Sequence, residues 1–204
     1  MRLITFSLCI SLLFVTLAAA GPKKEYLTEN ELDIVREAQD LGPRIDAYLR
    51  LAKRRLIVLG LTEKSKQDID REQAEQAEYN QTMVAAAAAR VNPADVDAMA
   101  PVTDFSYLKK FSDDDLLRGY IQAIDESMNN IDDFYERKAD VRGSVENLEK
   151  FTRETMVILK KYQPHNAVER SAIQDALAKA KEANDGAKDA LKKVPKNEKS
   201  PPAR

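Results

Sequence analysis

Apolar positions recur along most of this chain at intervals of three and four, the period that lays one water-shunning stripe down an α-helix. Leu32, Val35, Ala38, Ile45, Tyr48, Leu49, Ala52, Leu56 and Leu59 keep that period and predict a helix from Thr28 to about Leu59. Gly42-Pro43 interrupts it. Proline lacks an amide hydrogen and collides with the preceding turn, so a kink or short break is expected there, and Gly60 is placed to end the helix.

The next clear stripe is Leu117, Ile121, Ile124, Met128, Ile131 and Tyr135, whose spacings alternate four and three as in a heptad seam. It predicts a helix from Ser112 to about Lys138. Continued, the seam would fall on Lys138 and Arg142, so a turn is expected at Gly143, with Ser144 capping the following helix. That helix, Ser144 to Tyr162, buries Val145, Leu148, Phe151, Thr155, Ile158, Leu159 and Tyr162, and Pro164 closes it. A last helix is expected from about Ala167 to Val194, with Ile173, Leu177, Ala180, Ala187, Leu191 and Val194 as its seam. Alanines on that seam let a neighbouring helix come close.

Two helix starts are written out in full. In "LTENEL", Thr28 caps the free amides, Glu31 reaches back to the Thr28 N–H, and Leu27 and Leu32 form a hydrophobic staple. "FSDDDL" repeats the device with Ser112, Asp115, Phe111 and Leu116, and Asp113 and Asp114 sit where the helix dipole favours negative charge.

Residues 61–111 are harder to read. "TEKSKQDIDREQAEQAEYNQ" is nearly all polar, and "TMVAAAAARV" favours helix because alanine loses no side-chain entropy. We read an exposed helix from roughly Lys66 to Arg90 and then an irregular linker broken by Pro93 and Pro101, with disorder throughout as the competing reading. The tail 195–204 reads as disordered. The economical architecture is all-α: an antiparallel bundle of four to five long helices, in one domain over 21–194, with its first helix kinked at Gly42-Pro43. Pro43 to Leu59 carries Arg44, Arg50, Lys53, Arg54 and Arg55 against Asp46, while the 112–138 helix is rich in acids, so those two helices are expected to be neighbours.

The first segment changes the picture of where the chain works. Arg2, the apolar run Leu3 to Leu17 and the small residues Ala18-Ala19-Ala20 form the three parts of a secretory signal peptide, with cleavage expected between Ala20 and Gly21. The run is shorter than the roughly 20 residues that span a bilayer. We therefore expect a secreted or periplasmic protein with no integral membrane span after cleavage. Cys9 lies inside the run and is the chain's one cysteine, so the mature protein has no disulfides and holds together by burying apolar surface. Removing Arg2 leaves 31 basic against 34 acidic side chains. That balance supplies no global field for nucleic acid or anionic lipid.

Candidate chemistry is sparse. One histidine, His165, cannot supply the paired Glu-x-x-His of a di-iron bundle, and cysteine-bound haem and Cys/His zinc sites lack their ligands. Glycines at the spacing of a phosphate loop and a Gly-x-Ser-x-Gly elbow are both missing. We read His165 as a polar turn residue, and Asp113-Asp114-Asp115 and Asp132-Asp133 as capping or solvated acids that diverge around a helix. "RLAKRR" (Arg50 to Arg55) reads as a solvated or intrabundle face rather than an anion patch, and the basic tail as solubilising. Asn80 in "NQT" is a glycosylation sequon if the source is eukaryotic.

No catalytic, cofactor-binding or metal-ligating residues are assigned from the sequence, and no enzyme activity is expected. The leading expectation is an exported helical bundle that binds a protein partner or itself in the cell envelope. Reversible attachment to lipid surfaces through amphipathic helices is the alternative. A small-ligand carrier or enzyme with an interhelical pocket lined by Thr155 or Tyr162 is a third reading.

Overall fold

A computed structural model describes residues 25–88 and 105–194. Among them are six α-helices and no strand: α1 (Glu29–Glu37), α2 (Leu41–Val58), α3 (Lys66–Ala88), α4 (Asp113–Glu136), α5 (Arg142–Leu159) and α6 (Ala167–Lys193). A 3₁₀ turn (Ser106–Lys110) precedes α4. The all-α bundle is therefore as expected, and no described helix is long and apolar enough to cross a membrane. The signal peptide, the 89–104 part of the linker and the tail all lie outside the described residues.

The first helix is broken rather than kinked. α1 ends at Glu37 and α2 begins at Leu41, which puts Pro43 at the third position of α2, where its missing amide would have had no partner within the helix. Arg44 Nε donates to the Ala38 carbonyl at 2.9 Å and covers an open acceptor at the break. The Thr28–Glu31 capping box forms in both directions, and Leu27 and Leu32 pack together with Val35, Ala47, Tyr48 and Leu51 in a small side cluster.

Four helices make the main core. α2 lies beside α4, α4 beside α6, α6 beside α5, and α5 beside α2. Side-chain bonds fix the directions. Arg44 early in α2 meets Asn130 late in α4, and Arg142 at the start of α5 donates to the Val194 carbonyl past the end of α6 at 2.7 Å. Asn147 and Asp46 join early α5 to early α2 at 3.1 Å. The α2–α4 and α5–α6 pairs are thus antiparallel, while α4–α6 and α2–α5 run the same way. α4 and α5, consecutive in sequence, are diagonal across the core.

α2 and α4 are neighbours, as the charge pattern led us to expect, but they meet through apolar side chains. Leu49, Ala52 and Leu56 share one core with Leu117, Tyr120 and Ile124. One acid of α4 pairs across helices on the other side, Asp125 with Lys179 of α6 at 2.8 Å. On α6 the buried stripe is more alanine-rich than the expected seam: Ala172, Ala176, Ala180, Ala183 and Ala187 are inside, and Leu177 and Leu191 are partly covered.

Ser144 does not cap α5. The helix starts two residues earlier, Val141 is its N-cap, and Ser144 is buried within the first turn. The turn before it is made by Lys138, at φ +60°, rather than by Gly143. Lys138 N–H donates to Tyr135 O and Ala139 N–H to Phe134 O, the paired bonds of a Schellman end. Gly60, at φ +71°, ends α2 with the same pair, Gly60 to Ile57 and Leu61 to Leu56.

α3 stands apart. Its 23 residues extend about 35 Å, and none of its described side chains is buried. Ser65 and Asp68 cap its start reciprocally, with the Ser65 N–H donating at 2.8 Å and the Asp68 N–H at 3.2 Å.

Candidate functional site: a basic cleft where α2 meets α3

α2 presents two different faces. Leu41, Ile45, Leu49, Ala52 and Leu56 enter the core. Arg50, Lys53, Arg54 and Ile57 lie three, four and seven residues apart on another face, and together they form one wall of a cleft. The Gly60 turn sends the chain back so that Lys64 and then Asp68, Arg71 and Glu72 of α3 make the opposite wall, with Phe105 at the edge. The space between these walls, about 400 Å³, includes open solvent. Five basic side chains face two carboxylates.

One ion pair joins the two walls and a second braces the α3 wall. Lys53 Nζ lies 2.5 Å from Asp68 Oδ2, and Lys64 Nζ lies 2.7 Å from Glu72 Oε2. Burial raises the Asp68 pKa, but hydrogen bonds from Lys53 and Ser65 outweigh it and leave the group more acidic than usual. Lys64 Nζ also stands 4.4 Å from the Phe105 ring centroid, and Arg54 Cζ stands 5.8 Å from it, both within cation–π range.

A buried clasp sets the geometry of this end. Arg55, next to the cleft residue Arg54, turns inward and is 1 % exposed. Its Nη1 and Nη2 donate to the two Glu31 oxygens at 2.9 and 2.8 Å, and to the Leu51 and Tyr26 carbonyls at 2.9 and 2.8 Å. Tyr107 Oη donates to Glu31 Oε1 at 2.9 Å. The carboxylate that caps α1 is thus also the counter-ion for α2 and the anchor for the 3₁₀ turn that follows Phe105. Burial raises the Glu31 pKa, but Arg55, Thr28 and Tyr107 more than offset it, so its net shift is downward. Gly119 of α4 makes room: a Cβ there would stand 2.1 Å from Arg55 Nε.

The basic run therefore divides. Arg55 is intrabundle, as one reading of "RLAKRR" had it, while Arg50, Lys53 and Arg54 gather with α3 residues into an anion-friendly cleft that the sequence reading set aside. The missing information was where α3 returns, which no local pattern encodes. Thr155 and Tyr162 do not share a pocket. Thr155 Oγ1 bonds Tyr120 Oη at 2.8 Å inside the core, whereas Tyr162 Oη reaches Asp113 and Glu169 at the bundle's end. His165 is exposed, and its N–H donates to Glu169 Oε2 at 2.7 Å. Asp132, Asp133 and Asp114 carry no described metal-type grouping.

No protein-family model, curated protein or solved structure matches the chain.

Proposed function

We propose that this is an exported, non-enzymatic binding protein, and that the α2–α3 cleft receives an acidic segment of a partner polypeptide. The observation that carries the reading is the convergence of Arg50, Lys53, Arg54, Lys64 and Arg71 around Phe105, with Asp68 and Glu72 as the described carboxylates of the lining. Among the described residues the lining offers positive charge and one aromatic face, and no nucleophile paired with a base. Acidic side chains suit an open, basic cleft, and α3, with no buried described side chain, extends the surface beside it. Export rests on the Arg2, Leu3 to Leu17 and Ala18 to Ala20 pattern.

Contacts of this exposed kind contribute about 0–1 kcal/mol each, so five of them give at most about 5 kcal/mol and support weak, sub-millimolar affinity that fades with salt. Fluorescence anisotropy with a labelled oligoglutamate peptide tests it. Binding in low salt is expected to weaken at least about tenfold in the Arg50→Glu/Arg71→Glu variant, whose side chains lie outside the core. Equal binding by that variant, or tighter binding of an oligonucleotide or anionic vesicle, overturns the proposal.

A further inference from the structure

The starts of α4 and α6 come together where α5 stops, and four side chains converge there. Asp113 is the first residue of α4, Glu169 the third of α6, and Tyr162 and His165 belong to the connection between α5 and α6. One donor atom from each of Asp113, His165 and Glu169 lies within 4.8 Å of the other two. These ligands come from positions 113, 165 and 169, so no short sequence motif announces them. The exclusion of Cys/His zinc sites does not touch a site built on two carboxylates and one imidazole.

Helix capping accounts for part of the arrangement. Glu169 is 9 % exposed, its Oε1 accepts from Asn166 Nδ2 at 2.6 Å, and its Oε2 accepts the His165 N–H at 2.7 Å. The α4 and α6 N-termini favour ionised carboxylates, which suits metal ligands as well as caps. Capping does not account for the rest. Tyr162 Oη stands 2.9 Å from Asp113 Oδ2 and 3.0 Å from Glu169 Oε2, and a phenol has one proton to share between two carboxylates. Nor does it require the chain's one imidazole beside them.

We propose that Asp113, His165 and Glu169 bind a zinc-class divalent cation that ties the start of α4 to the start of α6. Two carboxylates and an imidazole suit a borderline transition ion, whereas calcium and magnesium favour all-oxygen shells. Three protein ligands leave a fourth position for water. Bond lengths near 2.0–2.2 Å bring tetrahedral ligand atoms to about 3.4 Å apart, inside the 4.8 Å that bounds the present cluster, so the side chains draw together on binding. Tyr162 stays outside the ligand set and orients the carboxylates, the usual part of a neighbour to a metal ligand. This site is independent of the basic cleft and of what binds there.

Cobalt and zinc titrations of the untagged chain test the assignment. Expected are one equivalent of Co²⁺ with visible d–d absorption, displacement by Zn²⁺, and a rise in melting temperature with Zn²⁺. His165→Ala and Asp113→Asn should each weaken Zn²⁺ at least about tenfold and remove the thermal shift while circular dichroism stays unchanged. No stoichiometric binding below about 100 μM overturns the proposal. So does Zn²⁺ affinity that both variants leave intact, which marks an ion held elsewhere on the acidic surface.

Discussion

Replacing Glu31 by Gln keeps the shape of the clasp and removes its negative charge. The Arg55 guanidinium is then left 1 % exposed with no counter-ion. Breaking a buried pair in this way costs about 3–5 kcal/mol, because the remaining charge has lost both water and partner. In a chain of this size each kcal/mol moves Tm by about 2–4 °C, so a fall of about 6–20 °C is expected. Replacing both partners, Glu31→Leu with Arg55→Met, should recover most of that loss, since an apolar pair has no desolvation penalty to offset. Recovery stays incomplete because the Tyr26 and Leu51 carbonyls lose the donors they have now. Urea unfolding followed at 222 nm measures all three proteins. The pair also predicts a pH signature. Because the folded pKa of Glu31 is lowered, its contribution is present above the ordinary Glu value of about 4.3 and is lost as pH falls through the lower folded value. The parent protein should therefore lose stability below about pH 4 more steeply than the double variant. A Glu31→Gln cost under about 1 kcal/mol, the range of exposed pairs, refutes the reasoning.

Gly119→Ala should destabilise nearly as much as Glu31→Gln, since its methyl falls 2.1 Å from Arg55 Nε and a pinned side chain cannot move aside; loss under about 1 kcal/mol by the same assay contradicts this. At the two matched helix ends the signs should be opposite. Lys138→Gly relieves a left-handed backbone and stabilises by about 0.5–1 kcal/mol, while Gly60→Ala, at φ +71° with open space around it, costs about 1 kcal/mol from backbone strain alone. Tyr120→Phe removes the buried bond to Thr155 and is expected to cost about 1 kcal/mol in thermal unfolding. Amides of α3 should exchange with deuterium far faster than those of α4, since α3 has no buried described side chain to hold it closed; equal protection contradicts its isolation.

The sequence by itself determined the helices, because period, caps and breakers act within a few residues of one another. Thr28 and Glu31 are three apart, Asn166 and Glu169 likewise, and Gly60 acts on carbonyls three and four residues behind it. Pro43 was legible as an interruption, though whether it bends or ends a helix depends on which residues can start the next one. Tertiary structure alone decided which helix faces which, and with that the interior polar chemistry. Arg55 looks like its neighbours Arg54 and Arg50 in any local window. It is buried because Gly119, 64 positions onward, leaves a notch and Glu31, 24 positions earlier, supplies the charge. Asp113 and Glu169 each look like ordinary first-turn acids until α4 and α6 run side by side in the same direction. The physical reason is common to all of these. Hydrogen bonds within a helix are local and repeat, while desolvation of a charge and convergence of ligands depend on distances between segments that only packing fixes.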